Sequence, residues 1–211
     1  LVGEFARRVT GRAFEQLLVD EVVAPLGLTG MFCGLPAGED SRMAVLEEVF
    51  EPGKEPGKKP ATVVAEAIPY WMQPLGDWMN TEAGRRACVP ASSGIMSARS
   101  LAKHYAALCP GGVEGVELLS PERVRIATQR QCPSEPQENP ARRSLGYGLG
   151  GAEGSEYGAR PTSFGHAGYG GANAFADPEK RYAAAYTKNY YSKGGATGEV
   201  LKKLREVLGV E

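Results

Sequence analysis

Ser163-Phe164-Gly165-His166-Ala167-Gly168-Tyr169-Gly170-Gly171-Ala172-Asn173-Ala174-Phe175-Ala176-Asp177-Pro178-Glu179 is the stretch on which the fold turns. One of the chain's two histidines stands there between glycines, and an apolar alternation and a proline turn follow. A second apolar run, Tyr182 to Thr187, comes next. The pattern predicts strand, turn, strand, with an imidazole at the end of the first strand. Glycines on both sides of the ring let another backbone or a ligand approach closely.

Outward from this stretch, Leu145–Gly151, Thr162–Ala167, Ala172–Ala176 and Tyr182–Thr187 give four strands of an antiparallel meander. Val200, Leu201, Leu204, Val207 and Leu208 fall on one face of a closing helix. On the N-terminal side, Ser97 opens a helix with Ala98, Leu101, Tyr105 and Leu108 on one face. Ser120-Pro121-Glu122 is a second helix start, with a capping hydroxyl, proline at the first helical position and an acid in the first turn. Leu1–Val9 reads as a helix, and Phe14, Leu17, Leu18 and Val22 as another that stops at Pro25. Glu51-Pro52-Gly53-Lys54 and Glu55-Pro56-Gly57-Lys58 repeat in tandem, which makes 51–60 an exposed polar loop. A second polar loop spans 131–143, and the aromatic-rich residues 61–80 show no period that assigns them. Helices first, an antiparallel sheet next and a helix packed on it make an α+β plan.

Hydrophobic residues make up 42% of the chain and charged ones 23%, the balance of a soluble globular protein. The net charge of -1 argues against a nucleic-acid partner or a membrane surface bound through charge. No apolar run reaches the length of a membrane span. Cys33, Cys88, Cys109 and Cys132 are far apart, form no Cys-x-x-Cys, and have no histidine placed to complete a zinc site. No metal and no cofactor is therefore expected. Free thiols are the expected state, and a disulfide stays open to them in oxidising surroundings.

Several segments carry a resemblance. Val9-Thr10-Gly11-Arg12-Ala13-Phe14, Ala24-Pro25-Leu26-Gly27-Leu28, the small-residue loop and helix start from Pro90 to Ala102, Leu145-Gly146-Tyr147-Gly148-Leu149-Gly150 and the His166-Ala167-Gly168 triplet come in that order. Together they resemble the serine β-lactamase-related and D,D-peptidase-like family, class C β-lactamase-like esterases included. The resemblance implies a β-lactamase/transpeptidase-like α+β fold, an antiparallel sheet with packed helices. It also implies acyl transfer on an amide or ester: a Ser-x-x-Lys serine attacks, a Tyr-x-Asn or Ser-x-Asn motif moves protons, and a third-motif strand orients a small-molecule or peptide/ester substrate. By motif position, His166 would stand beside the proton-transfer network, Gly168 would leave room for substrate, and the Tyr169 N–H would donate to the oxyanion.

No Tyr-x-Asn or Ser-x-Asn occurs, and the chain opens at Leu1 inside a helix-like run. Residues 1–211 are accordingly expected to be the C-terminal portion of one such domain, lacking its N-terminal part. The nucleophile and Tyr-x-Asn motifs would stand upstream, and the chain alone would be inactive. The alternative is a non-catalytic binding or scaffolding module that keeps the fold, fused or not to another domain. The one formal Ser-x-x-Lys, Ser100-Leu101-Ala102-Lys103, falls inside a helix and reads as a solvated helix face. Gly146-Tyr147-Gly148-Leu149-Gly150-Gly151 fits Gly-x-Gly-x-x-Gly but opens no helix, so it is not read as a dinucleotide site. His104, near the apolar face of its helix, reads as a packing or surface residue.

Overall fold

A computed structural model of the chain describes residues 1–48, 74–131, 143–152, 155–191 and 196–209. The expected loop at 51–60, most of the one at 131–143, the Tyr70-Trp71 pair and Cys132 lie outside the described residues. The chain begins with α1 (Val2–Thr10) and α2 (Phe14–Leu18), the latter followed by a π-helical turn (Val19–Val23). Next come β1 (Met31–Cys33), β2 (Glu47–Glu48), α3 (Leu75–Asn80), α4 (Glu82–Arg86) and β3 (Gly94–Met96). Then follow α5 (Ala98–Ala106), α6 (Pro121–Ala127), β4 (Gly148–Leu149), β5 (Phe164–Ala167), β6 (Asn173–Asp177), β7 (Tyr182–Tyr186), β8 (Tyr190–Tyr191) and α7 (Ala196–Leu208). They form two compact units. The first comprises Leu1–Leu18, Phe32–Ile95 and Lys188–Lys193, and the second Val19–Met31, Met96–Thr187 and Gly194–Glu211.

In the first unit, α1 is closed at its end by Gly11, whose φ of 69° lets its N–H return to the Arg7 carbonyl. Glu4 in its first turn pairs with Arg7 and Arg8, each at 2.7 Å. The N-terminal segment is thus a capped helix in its own right, and the expectation of a fold without an N-terminal part is corrected at this element. The helix α3 fell in the stretch that no period assigned, because six residues are too few to display one. Its anchor is Asn80, whose side chain accepts from the Leu46 N–H at 2.9 Å and donates to the Leu46 carbonyl at 2.8 Å. Thr81 caps α4 by accepting from the Gly84 N–H at 3.0 Å. The strands β2 and β8 pair in parallel.

The second unit is built on a four-stranded antiparallel sheet in the order β4-β5-β6-β7. Every residue of β6 is buried. Alternation sends its side chains to opposite faces. Ala174 and Ala176 join Phe164, Leu149, Tyr105 of α5 and Leu108 just past its end in one cluster. On the other face Phe175 packs with Ala184 and the α7 residue Leu201. Small alanines on β6 and β7 let α5 lie close to the sheet, and the aromatic residues fill what remains. Tyr147 meets Phe164 edge-on at 5.0 Å, and Phe175 meets Tyr182 edge-on at 5.9 Å.

The four expected strands are present, with shifts at their ends. Leu145–Gly151 shortens to Gly148–Leu149, because Gly146 (φ 88°) and Gly151 (φ 85°) take left-handed conformations that break extension on both sides. The closing helix differs more. Leu201 is buried and Leu204 half-buried, but Val200, Val207 and Leu208 are exposed, so the apolar contact is narrower than five residues. The Ser97 and Ser120 helix starts are present, each hydroxyl accepting from the N–H three residues on.

Candidate active-site wall

The described geometry places His166, Gly168 and Tyr169 on the β5–β6 hairpin. His166 lies opposite Ala174 of β6, and Gly168 closes the connection, its N–H donating to the Ala172 carbonyl at 2.7 Å. On β5 the buried Phe164 and the exposed His166 share a face, two residues apart. The same face therefore changes from core to solvent within one strand. Among the described residues, the His166 side chain makes no hydrogen bond or ion pair, and Tyr169 is 44% exposed.

Short β4 shapes the outer edge of β5. It pairs only Gly148 with Gly165 and Leu149 with Phe164. That cross-strand glycine pair forms a slot for an aromatic ring. A Cβ on Gly148 would stand 2.2 Å from the Tyr157 ring, and one on Gly165 would stand 2.8 Å from it. The Gly165 backbone also lies against β6, where a Cβ would come within 2.3 Å of the Ala174 carbonyl oxygen. Burial raises the pKa of the Tyr157 phenol, with the Glu156 charge adding to it, while a hydrogen bond from the Ala167 backbone and the charge of Arg143 oppose the rise. Tyr157 is thus a neutral ring wedged under the strand that carries His166. Sequence reasoning did not single it out; the glycine pair that receives it was the available signal.

Gly168 differs from these two glycines. A Cβ there would meet nothing nearer than the Ala172 carbonyl oxygen at 3.7 Å and the Ala172 Cβ at 3.8 Å. Both are ordinary van der Waals distances, so the hairpin itself does not require glycine at this position.

The formal Ser-x-x-Lys is a structural feature of α5. Ser100 is 5% exposed, accepts a hydrogen bond from Ser97 Oγ at 3.1 Å, and has the Gly30 backbone against it. Lys103 pairs with Glu114 at 2.6 Å. Ser93, the other buried serine near the small-residue loop, is bonded to both the N–H and the carbonyl of Val89. Neither hydroxyl is presented to a substrate. His104 keeps part of its ring at the surface, but its Nδ1 is sealed without a partner, and burial lowers its pKa to about 4. The expected packing role suits that neutral ring.

A cleft of about 310 Å³ opens at the other end of the sheet from His166, lined by Leu108, Pro110, Val124, Leu149, Thr162 and Pro178 among others. Thr162 precedes β5 and Pro178 follows β6, whereas His166 ends β5. The cleft is therefore separate from the hairpin wall. Among the described residues no group of three or more His, Cys, Asp and Glu side chains could hold a metal ion. No helix among them is long and apolar enough to cross a membrane.

Known proteins share this architecture. The chain is 28% identical over 204 residues to the Mycobacterium tuberculosis protein "Esterase/beta-lactamase LipL", covering 90% of this chain and 46% of that protein. The structure of EstA from Arthrobacter nitroguajacolicus Rue61a matches with a TM-score of 0.79 at 23% identity, over 98% of this chain and 57% of that one. A family VIII carboxylesterase matches with a TM-score of 0.70 at 30% identity, over 95% and 54%. The chain thus spans about half the length of these relatives. The profile of the family described as Beta-lactamase matches residues 1–205. That match takes in α1 and runs into α7, and it corrects the reading made from separate motifs. The likeness is not that of a C-terminal portion, and the expectation that the catalytic motifs stand upstream of the chain is withdrawn. The expected inactivity of the chain, which rested on that premise, goes with it. On the match over residues 1–205, the chain belongs to the Beta-lactamase family.

Proposed function

We propose that the protein is an esterase-like acyl hydrolase for small-molecule esters, and that the β5–β6 hairpin walls its substrate site. Names among the relatives support the substrate class: one is an esterase/beta-lactamase and another a carboxylesterase. In this reading His166 sits beside the proton-transfer network, Gly168 leaves room for the acyl group, and the Tyr169 N–H donates to the oxyanion. A backbone donor fixed in a tight hairpin turn needs little reorganisation as the negative charge develops on the carbonyl oxygen.

The observation that carries the reading is the spare space at Gly168. Packing explains glycine at Gly148 and Gly165, but the hairpin leaves a Cβ at Gly168 unopposed. A requirement for room on the outer side, next to an exposed imidazole, accounts for it. The test uses p-nitrophenyl butyrate turnover with wild type, Gly168→Ala and His166→Ala. Both variants should keep the wild-type unfolding midpoint. His166→Ala should lower kcat/KM roughly 100-fold, the scale of a positioned proton-transfer group. Gly168→Ala should raise KM. No ester turnover by wild type would favour a non-catalytic module, and unchanged kinetics in both variants would remove the hairpin from the site.

A further inference from the structure

Cys33 and Cys88 stand 3.4 Å apart, Sγ to Sγ, within the first unit. They are 55 residues apart in sequence, so the fold brings them together. Cys33 ends β1 and is 5% exposed, whereas Cys88 follows α4 and is half-buried. Three sets of contacts clamp the two segments. The Leu35 N–H donates to the Arg85 carbonyl at 2.7 Å. Arg86 donates to the Leu35 and Pro36 carbonyls at 3.1 and 2.9 Å and to Asp40 at 2.6 Å. Gly34, at φ 82°, brings its backbone so near that a Cβ would lie 2.8 Å from the Arg86 carbonyl oxygen and 3.4 Å from the Cys88 nitrogen. From the far side, Ser93 Oγ holds the turn after Cys88 and lies 3.6 Å from Cys33 Sγ. Non-covalent contacts alone keep the thiols side by side, and the sulfurs must close from 3.4 Å to about 2.0 Å to form a bond.

We propose that Cys33 and Cys88 are a redox-modification site, a dithiol that closes reversibly to a disulfide on meeting a small-molecule disulfide. The Cys88 thiolate, the more accessible, attacks one sulfur of the oxidant. A mixed disulfide forms and one thiolate leaves. The Cys33 thiolate then attacks Cys88 Sγ, forming the internal bond and expelling the second thiolate. The two protons shed by the cysteines end on the two departing thiols, and the oxidant takes up both electrons. Burial, with the hydrogen bonds to Cys33 and Glu15, pushes the Cys88 thiol up to about 12. At neutral pH Cys88 therefore rests as a thiol, and the pair closes slowly. Cys109, buried in the second unit against the Tyr105 and Tyr182 carbonyls, supplies the internal control.

The test is incubation of the full chain with oxidised glutathione, then thiol titration of one denatured portion, and alkylation with non-reducing peptide mapping of another. The titre should fall from four thiols to two, with one peptide linking Cys33 to Cys88 and full reversal by dithiothreitol. Cys33→Ser and Cys88→Ser should each abolish the link, and Cys109→Ser should leave it intact. Glutathione retained on Cys88 with no internal link would overturn the proposal. Should a serine variant fold poorly, dibromobimane on the reduced wild type decides the matter, since it fluoresces only after bridging two thiols. A bridged Cys33–Cys88 peptide supports the proposal, and bridging at neither residue overturns it.

Discussion

Arg160 Nε lies 2.6 Å from Asp177 Oδ2, and Asp177 is wholly buried while Arg160 keeps a quarter of its side chain in solvent. The carboxylate also accepts from Thr162 and Ser163 just before β5 and from the Glu179 and Lys180 N–H groups in the turn after β6. One acid thus ties the ends of two strands to the turn that follows. Burial alone would raise its pKa, but the hydrogen bonds from Arg160, Thr162 and the Lys180 backbone prevail and hold it below the usual carboxylate value.

Asp177→Ala should therefore cost about 3–5 kcal/mol, since it leaves buried donors and a partly buried guanidinium without their acceptor. Glu179→Ala should change stability by less than about 1 kcal/mol, although Glu179 also pairs with Arg160 at 2.6 Å, because its side chain is 64% exposed. Urea unfolding of the two variants checks the contrast. Equal losses would mean that the Asp177 network does not carry the strand ends. In wild type the Asp177 contribution should be present above pH ~4 and fade as pH falls through the lowered folded value.

His104 should give a separate acid limb. Its folded pKa, about 4, lies below the ordinary 6.5, so the unfolded chain takes up a proton there first. Stability should be full above pH ~6.5, decline as pH falls toward 4, and then level off, for a loss of up to about 3 kcal/mol. His104→Gln should flatten that limb without touching the one from Asp177. Unfolding midpoints in urea at half-unit pH steps read both, and an unchanged slope in the variant would discard the assignment.

The two glycines under Tyr157 should respond differently to alanine. A Cβ at Gly165 meets the Ala174 carbonyl oxygen, which cannot move without distorting β6. A Cβ at Gly148 meets the Tyr157 side chain first, and a side chain can swing away. Gly165→Ala should cost roughly 3 kcal/mol or more and Gly148→Ala about 1–2 kcal/mol. Adding Tyr157→Ala should rescue much of the Gly148→Ala defect and little of the Gly165→Ala one. A double-mutant cycle on thermal unfolding gives the answer.

Ser100 should stay unlabelled by a fluorophosphonate probe, as its hydroxyl is held by Ser97 and covered by Gly30. Labelling of the protein should be the same in wild type and Ser100→Ala. Probe mass found on Ser100 by peptide mapping would restore the Ser-x-x-Lys at 100–103 as a nucleophile motif.

The meander was legible because its apolar runs and the Asp177-Pro178 turn are local signals, although burial does not alternate along β6, where every residue is buried. What stayed hidden depended on distant partners. Helix α3 is anchored by Asn80 to Leu46, and no local pattern announces such a bond. Val207 looks apolar in sequence but is 75% exposed, since periodicity gives the width of a face and not the width of the surface that meets it. For the candidate wall, the motif located His166 and Gly168 but was silent on Tyr157, whose slot exists only when Gly148 pairs with Gly165. Separate short matches also understated the family likeness, because each is weak alone and the whole profile sums them.

Burial of β6 between α5 and α7 has a kinetic consequence. Its hairpin partners are close in the chain: Asp177 pairs with Tyr182, and Ala167 with Asn173. Tyr105 on α5, by contrast, must come in from roughly 70 residues away, so its loop-closure entropy is met later than that of the hairpins. The β5–β7 meander is therefore the natural nucleus, with α5 docking on its downhill side. In chevron analysis Ala176→Gly should chiefly slow refolding, and Tyr105→Leu should chiefly speed unfolding. The reverse partition would put α5 in the nucleus, so that the chain would wait on its most distant contact before the sheet could form.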